Sequence, residues 1–209
     1  MAAVFTDVET VRKVIDQVEE YVVIANYNTP VQQVISGASA GIAKVRSILE
    51  SRGIRTVPLN VSHAFHSELI SSGKERFYSF CKEEIQFKDL KFPVLSNVDA
   101  GYYPMQDTEG RFARTLADQM VSPVLFAAQI ERAFKDGCRV FVTVGPGKVL
   151  SGLVRAVLGE EAVCFDMMRD SMSLIYDAAA EMINGGLNVD PAVMSKAMRR
   201  WVRPTISVE

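Results

Sequence analysis

The first sixty residues carry strand and helix signals in an alternating order, and this order limits the possible folds more than any other feature of the chain. Four strand signals lie at residues 1–6, 21–25, 33–36 and 55–60. Apolar residues at helical spacing follow the first strand, at 8–18, and the third, at 42–49, and a turn cluster at 26–30 joins the middle strands. The order β-α-β-β-α-β predicts a ferredoxin-like unit, with one antiparallel sheet and two helices on one face.

The rest of the chain predicts an α/β arrangement. Helix signals lie at residues 67–84, 108–120, 123–136 and 148–158, and strand signals at 92–98, 139–144 and 162–165. The run at 139–144 is continuously apolar, which is typical of a buried parallel strand, and Ser122-Pro123 is expected to cap and open the third helix. We therefore predict an α/β fold with a ferredoxin-like subdomain over 1–61, an α/β part over 62–168, and a helical appendage or linker over 169–209.

Charge and cysteine usage exclude several classes of function. Lys and Arg total 23 and Asp and Glu total 25, so no basic excess points to nucleic acid. No apolar run approaches the roughly 20 residues of a membrane helix, and the first residues lack the basic region of a signal peptide. The three cysteines are scattered without a Cys-x-x-Cys pair, which argues against a disulfide framework and structural zinc. The expected setting is reducing and cytoplasmic, with the cysteines as small core residues.

Both histidines of the chain lie in one segment, VSHAFHSE at residues 61–68, where a strand signal gives way to a helix signal. The spacing of His63 and His66 would allow a shared metal ion, but no Cys, His or carboxylate cluster completes a ligand set. For an isolated pair of this kind, ordinary surface or capping histidines are the favoured interpretation. The alternative is a catalytic base, because imidazole titrates near neutral pH.

A short serine motif offers a competing site. Gly37-Ala-Ser-Ala-Gly41 matches the G-x-S-x-G pattern between a strand and a helix, so Ser39 and His66 could form a serine hydrolase pair. Only three short strand signals precede Ser39, fewer than such a hydrolase sheet needs. A strand-to-helix turn capped by Ser39 is therefore the favoured interpretation. The Gly145-Pro-Gly-Lys148 turn lacks the spacing of a phosphate-binding loop.

Four segments together resemble the C-terminal part of the malonyl-CoA:acyl carrier protein transacylase family, the acyltransferase domain of fatty acid and polyketide synthases. They are IANYNTPVQQVISG at 24–37, VSHAFHS at 61–67, PVLSNV at 93–98 and VGPGKVL at 144–150. The order and spacing of all four agree with the family, and the resemblance runs from residue 1 to about 168. It implies the ferredoxin-like subdomain followed by the C-terminal part of an α/β-hydrolase-like large subdomain.

The resemblance also implies a ping-pong reaction without a covalently bound cofactor. A serine takes the malonyl group from a coenzyme A thioester and passes it to the phosphopantetheine thiol of an acyl carrier protein. The catalytic histidine of the family corresponds to His66, and the residue whose backbone carbonyl orients it corresponds to Gln119. Substrate binding is expected at His63, Ala64 and Phe65, because His-Ala-Phe-His resembles the malonyl type of this motif and Phe65 would exclude an α-methyl branch.

One departure from the family bears on activity. The nucleophile of the family lies in a Gly-His-Ser-x-Gly elbow, and no Gly-His-Ser occurs here. We therefore expect the chain to supply the base but to need an N-terminal acyltransferase half or neighbouring synthase domains as partner, and to be inactive alone. An uncovered apolar face would then favour association. The alternative is a non-catalytic ferredoxin-like interaction module in which His66 is vestigial.

Overall fold

The computed structural model describes residues 1–168, 180, 182–186 and 190. Two compact units are present: residues 1–138 with 156–159, and the remaining described residues from 139 onward. The predicted appendage at 169–209 lies almost entirely outside the described residues. The boundaries predicted after residues 61 and 168 stay predictions.

The N-terminal sheet confirms the ferredoxin-like prediction. Its strands are β1 (Ala2–Val4), β2 (Val22–Thr29), β3 (Gln32–Gly37) and β4 (Thr56–Pro58), and its helices are α1 (Val8–Ile15) and α2 (Ser39–Ser51). The strand order is β2-β3-β1-β4, and every neighbouring pair is antiparallel. Ala3 pairs with Val34 on one side and with Val57 on the other, which sets the register of the central strand β1.

Both helices pack their apolar sides into one core with the strands. Asp7 caps α1, since its carboxylate accepts a hydrogen bond from the Thr10 N–H group at 2.9 Å, and that bond lowers the pKa of the Asp7 carboxyl. The core residues are Ala2, Val4, Val11, Val14, Val22, Ile24, Ile35, Ile42, Val45 and Leu49. The α1 and α2 members recur every three or four residues, which places them on one side of each helix.

The remainder of the first unit departs from the predictions at three places, the first being the helix predicted over 67–84, which is α-helical only from Lys74. Its elements are a 3₁₀ turn at Glu68–Gly73, α3 (Lys74–Glu84), α4 (Arg111–Gln119) and α5 (Phe126–Lys135). The strand predicted at 92–98 is wrong: only an isolated bridge joins Leu95 to Tyr102, and Pro93 offers no N–H group for a ladder. The helix predicted to open at Pro123 begins only at Phe126.

The late start of α5 has a tertiary cause. The Val124 N–H group donates to the Ala25 carbonyl at 2.8 Å, and the Tyr27 N–H group donates to the Val124 carbonyl at 2.9 Å. Val124 thus forms one parallel bridge with Asn26 at the outer edge of β2. A residue whose backbone N–H and carbonyl groups both bind a strand cannot also make the backbone hydrogen bonds of a helix, so α5 starts after Val124.

In the second unit, β5 (Val140–Pro146) and β6 (Val163–Met168) are parallel, with Phe141 opposite Cys164. The helix α6 (Val149–Leu158) lies between them in sequence, and its residues 156–158 are counted with the first unit. The parallel pairing agrees with the apolar run at 139–144. The expectation of full burial is wrong, because Val142 and Val144 are 42% and 78% exposed.

The described residues also settle the cysteine environments. Cys81 is a buried core residue as predicted, and burial raises the pKa of its thiol. Cys138 is exposed and Cys164 is half-buried, so the prediction of core positions is wrong for Cys138. Within the described part of the chain, no cluster of three or more His, Cys, Asp or Glu could hold a metal ion. No helix there is long and apolar enough to cross a membrane.

Replacing Gly37 with alanine is expected to lower the free energy of unfolding by about 1–3 kcal/mol, the usual cost of overpacking. A Cβ atom at Gly37 would overlap the Tyr21 carbonyl oxygen and lie 2.8 Å from the Val22 Cα. Both neighbours are backbone atoms of the sheet and cannot move alone. Urea denaturation followed by circular dichroism measures the change.

Gly152→Ala is the matched control. Apart from its chain neighbours and the α6 backbone, no described atom lies within 4 Å of a Cβ at Gly152, which sits inside α6, so alanine there is expected to stabilise by about 0.5–1 kcal/mol. Equal stabilities for the two variants would contradict the close approach of Gly37 to β2.

Candidate active site

His66 lies in a strained loop that joins β4 to the following 3₁₀ turn. Its backbone has a φ of 57°, in the left-handed region that is rare for a residue with a side chain. The His66 N–H group donates to the Met120 carbonyl at 3.0 Å, directly after α4. Such a backbone persists where the surroundings fix it, and strained residues of this kind cluster at functional sites.

Two backbone carbonyls fix the His66 ring. The Nδ1 atom lies 3.0 Å from the Gln119 oxygen and 3.1 Å from the Ser122 oxygen. A carbonyl only accepts hydrogen bonds, so Nδ1 must carry the proton in the neutral ring. This arrangement leaves Nε2 with a free lone pair, as a general base requires.

The structure therefore brings His66 and Gln119 together, although 53 residues separate them in sequence. Gln119 is the last residue of α4, where helix carbonyls lack a partner within the helix. The Ser122 carbonyl was missed by the sequence analysis. Pro123 is the one available signal, because a residue before proline is disfavoured in helical conformation and its carbonyl turns away from a helix axis.

The strand β2 holds the segment that carries these carbonyls. Its pairing with β3 is irregular between Ile24 and Asn26, so Ala25 is an extra residue in the strand. The Ala25 carbonyl accepts from Val124, two residues after Ser122. Bulges of this type often lie beside functional sites, where they redirect a strand edge.

His66 is one of the residues that line a cleft of about 400 Å³. The described residues that line it are Arg12, Ile15, Asp16, Tyr21, Val22, Val23, Ile24, Tyr27, His66, Ser67, Glu68, Val121 and Pro123. Its volume lies within the range of small-molecule sites. The one serine of this lining, Ser67, is buried, and its Oγ donates to the Ala64 carbonyl at 2.6 Å.

The other predicted site residues lie outside this lining. His63 is exposed, with Nδ1 2.8 Å from the Ser62 Oγ, and Phe65 is 42% exposed. Ala64 is half-buried, and its carbonyl accepts the Ser67 bond. Ser39 is exposed at the first position of α2, where Ala38 is the N-cap residue, so the predicted Ser39 cap is wrong.

Comparisons with known proteins agree on one family. The model of the acyl transferase domain family matches residues 1–174. A malonyl CoA-acyl carrier protein transacylase of Bacillus subtilis is 37% identical over 162 residues, which are 75% of this chain and 50% of that protein. The chain spans about half the length of the curated relatives it matches.

Solved structures show the same likeness. The malonyl-CoA:acyl carrier protein transacylase of Xanthomonas oryzae pv. oryzae superposes with a TM-score of 0.76 at 27% identity, over 85% of this chain and 55% of that one. The acyltransferase domain from the second module of the salinomycin polyketide synthase gives 0.81 at 25% identity, over 100% and 48%. The mixed α/β fold class predicted from the sequence is thereby confirmed.

The neutral His66 ring is expected to carry its proton on Nδ1. Nitrogen-15 NMR of the imidazoles, recorded above the titration of both rings, measures the tautomer of each. The chain has two histidines, so the variant His66→Gln assigns both sets of signals. A predominant Nε2–H tautomer at His66 would show that the carbonyl pair does not orient the ring.

Proposed function

Because the chain belongs to the acyl transferase domain family, we propose that it supplies the general base of an acyl transfer from a coenzyme A thioester to an acyl carrier protein. The acyl group is malonyl and the acceptor is the phosphopantetheine thiol of the carrier protein. One observation carries this proposal: the hydrogen bonds of His66 Nδ1 to the Gln119 and Ser122 carbonyls, which leave Nε2 as a base beside the cleft.

The first half-reaction needs a base and then an acid at one atom. Nε2 of His66 takes the proton of a serine hydroxyl as the serine oxygen attacks the thioester carbonyl. The tetrahedral intermediate then breaks its carbon–sulfur bond, and the Nε2–H group protonates the departing coenzyme A thiolate. A malonyl ester of the serine remains.

The second half-reaction runs the same steps with the other thiol. Nε2 takes the proton of the phosphopantetheine thiol, whose sulfur attacks the serine ester. Collapse of the second intermediate returns the proton to the serine oxygen and leaves the malonyl thioester on the carrier protein. In both halves the transient imidazolium faces two carbonyl oxygens, one of them at the negative end of the α4 dipole.

We place the nucleophilic serine in the part of the family's domain that lies outside the half spanned by this chain, on the same polypeptide or on another. Ser39 does not line the cleft, and the Ser67 hydroxyl is engaged with Ala64. The chain therefore acts together with an N-terminal acyltransferase half or neighbouring synthase domains. No bound cofactor is required, and the lack of a disulfide among Cys81, Cys138 and Cys164, which all lie in the described residues, fits a reducing cytoplasm.

Selection of the malonyl group is assigned to His63, Ala64 and Phe65, which precede the base. The Phe65 ring lies 6.0 Å from the His63 ring and keeps 42% of its surface exposed. A large apolar side chain left open next to the base would contact the α-carbon of the acyl group. One methyl branch is worth about 1–3 kcal/mol of discrimination in such a contact, so a preference is expected and not an absolute exclusion.

Mixing the full chain with the family segment that precedes the matched half, taken from the Bacillus subtilis relative, is expected to restore malonyl transfer. Intact mass spectrometry after addition of malonyl-CoA should show the adduct on the added segment, and carrier protein should then remove it. His66→Ala should lower the loading rate by about 10²–10⁴-fold, the range of a general base.

Ser39→Ala is the control and should load at the unchanged rate, because Ser39 is exposed outside the cleft. An adduct on the chain alone that Ser39→Ala abolishes would establish a serine hydrolase instead. If His66→Ala loads malonyl at the unchanged rate, His66 is not the general base.

The double variant His63→Tyr/Phe65→Ser is expected to raise the ratio of methylmalonyl to malonyl loading by about 10-fold or more. The reason is the space that the smaller serine leaves for an α-methyl branch. Competition between the two thioesters, read as relative adduct masses, measures the ratio. If the ratio of methylmalonyl to malonyl loading is unchanged while total loading is undiminished, residues 63–65 do not select the acyl group.

A further inference from the structure

The His66 loop has a second attachment that the family resemblance does not describe. The Glu68 N–H group, at the first position of the 3₁₀ turn, donates to the Tyr21 hydroxyl oxygen at 3.1 Å. The N-cap residue of that turn, Ser67, makes no capping bond of its own, because its hydroxyl donates backwards to Ala64. Tyr21, another residue of the cleft lining, therefore supplies an acceptor for one of the N–H groups that have no partner within the turn.

Tyr21 is itself rigidly placed. It directly precedes β2, and its carbonyl accepts from the Ala38 N–H group at 2.9 Å. Gly37 approaches the same carbonyl so closely that a Cβ there would overlap it. Tyr21 therefore contributes to the cleft lining from a fixed backbone position, and 38% of the residue's surface is exposed.

We propose that Tyr21 is a positioning residue for His66, acting through its hydroxyl on the Glu68 N–H group. The inference rests on the proposed function of His66 as base. The left-handed His66 backbone is held at its own N–H group by Met120 and, two residues later, at the Glu68 N–H group by Tyr21. Without the Tyr21 bond, the loop can relax toward ordinary backbone angles, and the Nδ1 contacts with both carbonyls loosen.

This arrangement makes β2 the common support of the site. Its first end orients the loop through Tyr21, and its bulge at Ala25 holds the carbonyl segment through Val124. The base and the carbonyl groups that orient it are thus both positioned by one strand. Loss of one attachment should lower the fraction of molecules with a correctly oriented ring, which reduces turnover rather than substrate binding.

The test removes only the hydroxyl, with the variant Tyr21→Phe in the full chain. Tyr102→Phe is the matched control: Tyr102 has the same 38% exposure and its hydroxyl donates to Asp136 at 2.8 Å, outside the cleft lining. Two readouts need no activity. We expect the Glu68 and His66 amides of Tyr21→Phe to exchange hydrogen about tenfold faster, and the His66 ring to show mixed tautomers by nitrogen-15 NMR.

In the reconstituted transfer, kcat of Tyr21→Phe should fall about tenfold with KM for malonyl-CoA unchanged, whereas Tyr102→Phe should match the parent chain. Unchanged amide exchange and ring signals in Tyr21→Phe would overturn the proposal whatever the activity. A rise in KM alone would also overturn it, by making Tyr21 a substrate contact. If Tyr21→Phe alters the amide exchange and the ring tautomer, but the unmutated chain transfers no malonyl group, the positioning role is supported and the proposed function is refuted.

Discussion

The hydrogen bonds from the His66 Nδ1–H group to the Gln119 and Ser122 carbonyls are the contacts on which the rest of the candidate site depends. They select one tautomer without a carboxylate, and so avoid the desolvation cost that a second buried charge would carry. Their geometry requires the end of α4, the turn before Pro123 and the left-handed His66 backbone to meet at one point.

An edge strand provides the frame for that meeting. β2 lies at the end of the sheet order, so its outer edge has unpaired groups that must be covered. Val124 covers part of this edge, and the bulge at Ala25 turns a carbonyl toward it. The bridge that protects the edge also fixes the orienting carbonyls, and Tyr21 at the start of the strand holds the loop of the base.

The errors in the secondary-structure predictions have identifiable causes. Ser122-Pro123 has the composition of a helix start, but pairing of Val124 with β2 delays α5 to Phe126. The apolar run at 92–98 has strand composition, yet Pro93 lacks a donor and only the Leu95 bridge forms. Both errors arose where a long-range contact or a missing N–H group overrides local preference.

Local chemistry was sufficient for the ferredoxin-like order, because helical spacing, β-branched runs and turn residues act within a few positions of one another. The pairing of His66 with Gln119 came from resemblance, and the role of both residues rests on the proposed function. The Ser122 carbonyl, signalled only by Pro123, the cleft lining and the Tyr21 bond were not predicted from the sequence. The two hydrogen bonds join groups 56 and 47 positions apart, and the cleft lining draws on residues from Arg12 to Pro123, so only the folded chain brings these groups together.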